Sequence, residues 1–388
     1  MRLVVVSHKI CWNSPDAPDF YQTDGGFPLQ IKAISELFDE TKIVVPCEKS
    51  PNKNGVSPIK GRRVKVCPLS MPTGEDFRRK LNIPFWLLKN GLIIWREIKA
   101  ADAVHAPVPG DVGTIGMLIA LLLRKPLFVR HCGNWLVQRT AAEAFWKWTM
   151  EQFAGGRNVM MATGGDAAAP SEKNANIKWI FSTSLSQNEI GSAAPREFPA
   201  DGKLKLIIAC RQEQRKGTDV VIESLPLILA KFPDATLDVV GGGSLLEKLK
   251  ARARDLKLEN RIVFHGKVEH SRVVELMKQA HVFCYPTSAS EGFPKVVLEA
   301  LAAGLPVVTT RVSVLPHLVG AGCGVLLNAP NAEELAAAVA EICADVGRYN
   351  QMSVCAIRAA QNYSLENWRD FIGENLRTAW QVSSLSSA

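Results

Sequence analysis

The chain has 388 residues, too many for one ordinary domain and suited to two of roughly 150–200 residues each. With 47% apolar residues and no low-complexity stretch it can fill two cores, which excludes a disordered protein. The net charge of +8 is uneven: residues 1–200 hold 25 Lys and Arg against 18 Asp and Glu, and the rest hold 21 against 20. A basic first half suits nucleic acid, an anionic membrane or a phosphorylated substrate, or is a solvated excess with no partner. The nine cysteines (Cys11, Cys47, Cys67, Cys132, Cys210, Cys284, Cys323, Cys343, Cys355) are scattered and never form a C-x-x-C pair. They are expected to be buried free thiols of a reducing compartment. The opening MRLVVVSHK runs straight into a strand pattern without a signal-peptide core, and the apolar run Met117–Leu123 is far short of a spanning helix. The expectation is a cytoplasmic protein, soluble or peripheral at the inner face of a membrane.

In chain order, apolar runs predict strands near 2–7, 42–46, 63–67, 102–105, 126–131, 158–161 and 177–181. Helices fill the gaps, including 26–38 and 111–123. Residues 182–202 lose the pattern and gather Ser, Ala, Pro and Gly, as a linker does. Strands resume at 206–210, 236–241, 261–266, 282–287, 306–310 and 324–328. Between them helices are expected at 217–231, 244–256, 271–279, 294–303, 331–346 and 347–361. Strands alternating with helices mean parallel α/β sheets, here two doubly wound domains, 1–190 and 191–363. The tail, about 364–388, is helical in pattern and carries Trp368 and Trp380, while the other seven tryptophans precede residue 180. That shared richness predicts a tail packed on the first domain.

The stretch SASEGFPKVVLEALAAGLPVVTT (288–310) places Glu291 in a loop and Glu299 within a helix of about 294–303. Pro294 suits its first turn, Gly304 its C′ position, and Pro306 bars continuation. The N–H groups of Lys295, Val296 and Val297 would make an anion site. Carboxylates repel phosphate, so the glutamates suit hydroxyls on either side of one. A phosphate flanked by hydroxylated groups describes a nucleotide-sugar. Taken alone, the pair reads equally as a dipole-stabilising glutamate and a solvated one.

In CRQEQRKGTDVVI (210–222), Arg211 and Lys216 flank the turn after a strand, where ligands bind in open sheets. They suit a diphosphate, or are ordinary surface charges. VVGGGSLLEKL (239–249) allows close backbone approach, or is only a tight turn. Gly25 and Gly26 open the first helix after an unusually long loop, and His131 ends an apolar strand in PLFVRHCGNW. It would point into a crevice between facing sheets, or be a hydrogen-bonded structural histidine. No D-x-D, H-E-x-x-H or Cys/His zinc pattern occurs, so no metal is expected and charge neutralisation falls to Arg211, Lys216 and the helix dipole.

This ordered set resembles glycosyltransferase family 4, the retaining group with the GT-B fold. The resemblance rests on Gly25-Gly26, His131, Arg211 with Lys216-Gly217, Gly241–Gly243, and Glu291 to Glu299 with its L-E-A-x-A-x-G-x-P-V-V continuation. It implies two Rossmann-like domains facing a central crevice, with a C-terminal helix returning to the first. Glu299 would hold the ribose hydroxyls and Glu291 the sugar hydroxyls near the reacting face. Backbone around Phe293, Pro294, Lys295 and Val296, with Arg211 and Lys216, would take the diphosphate, and Gly26 would close on it. His131 would touch the donor sugar, and backbone from Gly266 to Val268 would read the base. Where the family commonly has Gly-Leu after E-G-F, this chain has Pro294-Lys295.

The implied activity is transfer of a hexosyl group from a nucleotide-sugar, with no cofactor and no nucleic-acid partner. The other readings are a sugar-nucleotide 2-epimerase and a non-catalytic binder. The epimerase needs acid/base carboxylates near the donor, and the first domain shows no obvious set. RRKLNIPFWLLKNGLIIWREIK (78–99) suits docking on an anionic membrane, which favours a lipid-linked or cell-envelope glycan as acceptor. The loop around Trp12–Thr23 gives no acceptor residues.

Overall fold

The computed structural model describes residues 1–382 apart from 15–16, 50–55, 75, 200–201 and 321. The chain divides into two compact units, Met1–Ser184 with Leu365–Ala388, and Leu185–Ser364. The division comes six residues before the expected one at 190, because the supposed linker is not structureless. Ser186 and Glu189 form a capping box on the short helix Gln187–Gly191. Ala200 and Asp201 of that linker, and residues 383–388 of the tail, lie outside the described residues.

The first unit holds strands β1 (Arg2–Val6), β2 (Cys11–Ser14), β3 (Ala17–Asp24), β4 (Glu40–Lys49), β5 (Val56–Pro58), β6 (Val64–Leu69), β7 (Ala103–Val108), β8 (Leu127–His131), β9 (Asn158–Thr163) and β10 (Lys178–Ile180). Its helices are α1 (Phe27–Ser35), α2 (Asp76–Ala100), α3 (Asp111–Leu122) and α4 (Ala141–Phe153). The parallel order β6-β4-β1-β7-β8-β9-β10 puts β1 near the centre. Its run Leu3–Val6 is buried on both faces, which is why it reads as continuous rather than alternating. The expected long loop before Gly25 is instead the pair β2/β3, antiparallel to each other and joined to the far end of β4. Residues 15–16 of that stretch lie outside the described residues.

The second unit holds α5 (Gln187–Gly191), β11 (Lys205–Ala209), α6 (Thr218–Leu229), β12 (Thr236–Val240), α7 (Leu246–Asp255), β13 (Ile262–Gly266), α8 (His270–Gln279), β14 (Val282–Tyr285), α9 (Lys295–Ala302), β15 (Val307–Thr310), α10 (Leu315–Val319), β16 (Gly324–Leu327), α11 (Ala332–Ile342) and α12 (Val346–Gln361). Its six parallel strands run β13-β12-β11-β14-β15-β16. The order reverses between β11 and β14, and the loops leaving their carboxyl ends mark the ligand crevice of such a sheet.

The last helix, α13 (Leu365–Trp380), belongs to the first unit. It buries Trp368, Ile372, Leu376 and Trp380 in the core beneath β1, beside Phe38. Those positions recur at helical spacing, so one stripe is apolar and the rest solvated. The opposite face of the same sheet is covered by α2, α3 and α4. Helix α2 is apolar on two sides. Trp86, Ile94 and Ile98 are buried in the core, whereas Leu81, Phe85, Leu88 and Leu92 are exposed, Phe85 at 73% and Leu88 at 83%. Among the described residues no helix is long and apolar enough to cross a membrane.

All nine cysteines are free. Cys11, Cys284, Cys323 and Cys343 are buried as expected, but Cys132 is exposed, because it follows the end of β8 rather than lying within the strand.

Candidate functional site

Three loops of the second unit lock together at the switch point. The turn Cys210–Gly217 leads from β11 into α6 and lies under the loop after β14. The hydroxyl of Thr287 and the backbone N–H groups of Ser288 and Ala289 donate to the Arg215 carbonyl at 2.8, 2.9 and 3.2 Å. Gly217 takes φ +86°, and a Cβ there would stand 2.3 Å from the Pro286 carbonyl oxygen. The glycine turn after β12 is held as tightly. Gly241 takes φ +116°, and a Cβ would stand 1.9 Å from the Cys210 carbonyl oxygen. Gln212 is fully buried between the two turns. Its amide donates to the carbonyls of Cys210 and Val240 at 3.0 Å each, and its backbone N–H to Gly242 at 2.9 Å. The backbone is thus rigid before any side chain reaches the crevice.

A cavity of about 690 Å³ lies over these loops. Arg211, Lys216, Gly241–Gly243, Val268, Glu291, Val296 and Glu299 line it, so residues up to 88 positions apart in sequence meet at one place. Lys267, His270 and Tyr285 line it as well. The Lys216 ammonium forms an ion pair with Glu291, and the Lys216 side chain is only 11% accessible. Burial holds the Lys216 pKa below its ordinary value, and the Arg211 charge pushes the same way. Arg211 is 74% accessible and pairs with Glu213 at 3.6 Å. The two cations therefore differ: Lys216 is a paired, poorly hydrated charge, and Arg211 is a solvent-exposed rim charge. Ser313 donates its hydroxyl to the Glu291 carbonyl at 2.7 Å, which fixes the loop that carries that carboxylate.

Glu291 leads into α9 through Phe293 and Pro294. Pro294 is the N-cap rather than a residue of the first turn, and Lys295 opens the helix. The expected triad of donors is reduced, because the Val297 N–H bonds the Pro294 carbonyl at 3.0 Å. Phe293 turns its ring toward Tyr363 at 5.7 Å and packs on the core. The helix closes at Gly304, where the Leu305 N–H reaches back to Ala300 at 3.0 Å. Gly266 ends β13 at φ +64°, just ahead of Lys267 and Val268 on the cavity wall.

Sequence reasoning missed His270 and Gln212. His270 begins α8, and its Nε2 lies 3.0 Å from Glu299 Oε1. That hydrogen bond raises the His270 pKa above its ordinary value, against the opposing effect of burial. The two residues are 29 apart with no periodic relation, so no spacing rule could pair them. Gln212 sits in a polar run, CRQEQRKG, and read as surface. A polar side chain whose amide nitrogen donates to two backbone carbonyls leaves no sequence signal.

Three expected residues belong to the first unit. Gly25 has φ +68° with open space around it, and Gly26 caps α1. His131 ends β8, is 2% exposed, and meets Trp135 edge-on at 5.3 Å. Burial lowers its pKa to about 4, so it is neutral at pH 7. Among the described residues no group of three or more His, Cys, Asp or Glu could hold a metal ion.

Residues 193–358 match the family model described as glycosyl transferases group 1. A GDP-mannose-dependent alpha-(1-6)-phosphatidylinositol monomannoside mannosyltransferase of Mycolicibacterium smegmatis is 32% identical over 172 residues, 42% of this chain and 44% of that protein. The gpi3 subunit of phosphatidylinositol N-acetylglucosaminyltransferase from Schizosaccharomyces pombe is 29% identical over 127 residues, 33% of this chain and 26% of that protein. The chain thus spans less than half the length of these relatives. Among solved structures, Anabaena HepE in complex with UDP is similar at a TM-score of 0.69 and 16% identity, over 97% of this chain and 100% of that one. Sucrose-phosphate synthase of Thermosynechococcus elongatus is similar at 0.69 and 16%, over 98% and 99%. The chain has the GT-B fold, and its residues 193–358 belong to the glycosyl transferases group 1 family.

Proposed function

We propose that this protein is a retaining glycosyltransferase of family 4. It moves a hexosyl group from a nucleoside-diphosphate sugar to a lipid-linked or cell-envelope glycan. The observation that supports this most is the meeting of Lys216, Glu291 and Glu299 around one cavity at the switch point of the second sheet. In this reading Lys216 exchanges Glu291 for a phosphate oxygen, which frees Glu291 for the hydroxyls of the sugar. Arg211 and the start of α9 share the remaining phosphate charge, and no metal is required. Glu299 accepts from the ribose hydroxyls, and the backbone at Gly266–Val268 meets the base. His131 acts on the transferred sugar and Gly26 on the diphosphate, as the family resemblance implies.

The bond from the anomeric carbon to the phosphate oxygen breaks while the acceptor oxygen attacks from the same face. The acceptor proton passes to the leaving phosphate. Fixed cations and backbone dipoles stabilise the charge that develops there. The two relatives described above are both named as acting on phosphatidylinositol-type lipids, which favours a lipid-linked acceptor here. The exposed apolar row of α2, flanked by Arg78, Lys89, Arg96 and Lys99, favours peripheral attachment to an anionic membrane at its cytoplasmic face.

The test is incubation with UDP-glucose and GDP-mannose, with and without a lipid extract, followed by NMR of the anomeric proton. The expected result is transfer, or slow donor hydrolysis, with the anomeric configuration kept. Isomerised donor would establish an epimerase instead, and binding without any turnover would leave only a nucleotide-sugar binder.

A further inference from the structure

Nothing in the roles above uses His270. It opens α8, while Glu299 lies within α9, so their 3.0 Å hydrogen bond ties two helices together across the cavity wall. Both side chains line the cavity. They are unequal: the Glu299 side chain is 12% accessible and that of His270 is 63%. The glutamate is therefore the enclosed member, and the histidine reaches in from the rim. A carboxylate offers two oxygens and about four lone-pair sites. With His270 on Oε1, Oε2 and the remaining lone pairs are left for a ligand. A free glutamate samples several rotamers, and a ligand must freeze one of them. The bond to His270 has already done so.

We propose that His270 is the positioning residue for Glu299, fixing its carboxylate so that a nucleotide is read through its ribose hydroxyls. This inference rests on the nucleotide-sugar reading and adds to it the residue that sets the ribose contact. His270 acts through Glu299 and touches no reacting atom. Other charges also bear on His270: Glu189 of α5 favours its protonated form, and Lys295 of α9 opposes it. Both act as background to the Glu299 bond, which is the largest influence on the ring.

The experiment is calorimetric titration of the full chain with UDP, GDP and their 2′,3′-dideoxy counterparts. Wild type is compared with Glu299→Gln, His270→Ala and His270→Gln. Wild type should prefer the ribonucleotide of at least one base, and Glu299→Gln should lose that preference. His270→Ala should lower ribonucleotide affinity about three- to five-fold, the range of an exposed charge-assisted pair, and leave dideoxy affinity unchanged. His270→Gln, whose side-chain N–H groups can still donate to Oε1, should recover most of the preference. Unchanged dideoxy binding also shows that the variant is folded. A ribose preference that survives in His270→Ala overturns this inference alone, as does an equal loss on all four nucleotides. Wild type binding none of them overturns the nucleotide reading, and this inference with it.

Discussion

The two units are built from the same parallel βαβ pattern but spend their polar groups differently. In the second, polar and charged side chains gather at the carboxyl ends of the strands: Gln212 pins two turns, Lys216 pairs with Glu291, and His270 pairs with Glu299. In the first, His105 and His131 are buried within the sheet and kept neutral. The His105 ring stacks on Phe128 at 4.4 Å and meets its carbonyl at 3.0 Å. The first unit also exposes apolar side chains on three helices that cover one face: Phe85 and Leu88 on α2, Leu118 and Leu122 on α3, Phe145 and Trp148 on α4. The indole N–H of Trp146 donates to the Thr114 hydroxyl at 2.7 Å and ties α4 to α3. A polar cavity wall and an apolar outer face are different uses of one βαβ pattern: the second unit gathers polar groups around a cavity, and the first exposes apolar side chains along one face.

The largest expected difference is in acid. Burial lowers the His105 pKa to about 3 and that of His131 to about 4, against an ordinary value near 6.5 in the unfolded chain. A depressed folded value means the unfolded state binds protons first as pH falls. The stability these groups contribute is fully present above pH 6.5 and is lost between 6.5 and those lower values. By pH 4 that amounts to a loss on the order of 5 kcal/mol from the first unit. His270 in the second unit has the opposite sign. Its raised value contributes stability below pH 6.5 and loses it as pH rises, and an exposed pair is worth at most about 1 kcal/mol. Hydrogen exchange, corrected for intrinsic rate, should show β7 and β8 losing protection before β11 and β14 as pH is lowered from 7 to 4.5. Simultaneous loss, or earlier loss in the second unit, would break the contrast.

A smaller effect is expected at the apolar face. Wild type should co-sediment with vesicles containing an anionic phospholipid at low salt. Replacing Phe85 and Leu88 together by glutamate should weaken that binding about ten-fold, since both side chains are exposed and their removal leaves the core intact. Replacing Lys89 and Arg96 should cost about 1 kcal/mol each and weaken the salt dependence of binding, with Arg78 and Lys99 retaining the remainder. Vesicle binding equal in all three proteins would assign the exposed row to something other than a membrane.

Most of this architecture was legible because parallel strands buried on both faces are continuous apolar runs. Leu206–Ala209 and Phe283–Tyr285 stood out for that reason, whereas Leu237–Val240 is interrupted by the buried Asp238, which pairs with Lys205 at 2.9 Å. The additions in the first unit were not legible. Strands β2 and β3 lack a continuous apolar run, and sheet-edge pairing is set by register across the chain rather than by local pattern. The site followed the same division. Arg211, Lys216, Glu291 and Glu299 could be found because glycine and proline punctuation fixed the loops that hold them. His270 could not, since its meaning comes from a contact between two helices.

The central claim is that the second unit's cavity binds a nucleoside diphosphate with Lys216 on its phosphates. The direct measurement is calorimetric titration of UDP and GDP into wild type and Lys216→Ala. Loss of a charge-assisted bond from a poorly hydrated lysine to phosphate should weaken binding at least about ten-fold. Equal affinity in the two proteins would remove Lys216 from the site and contradict the claim.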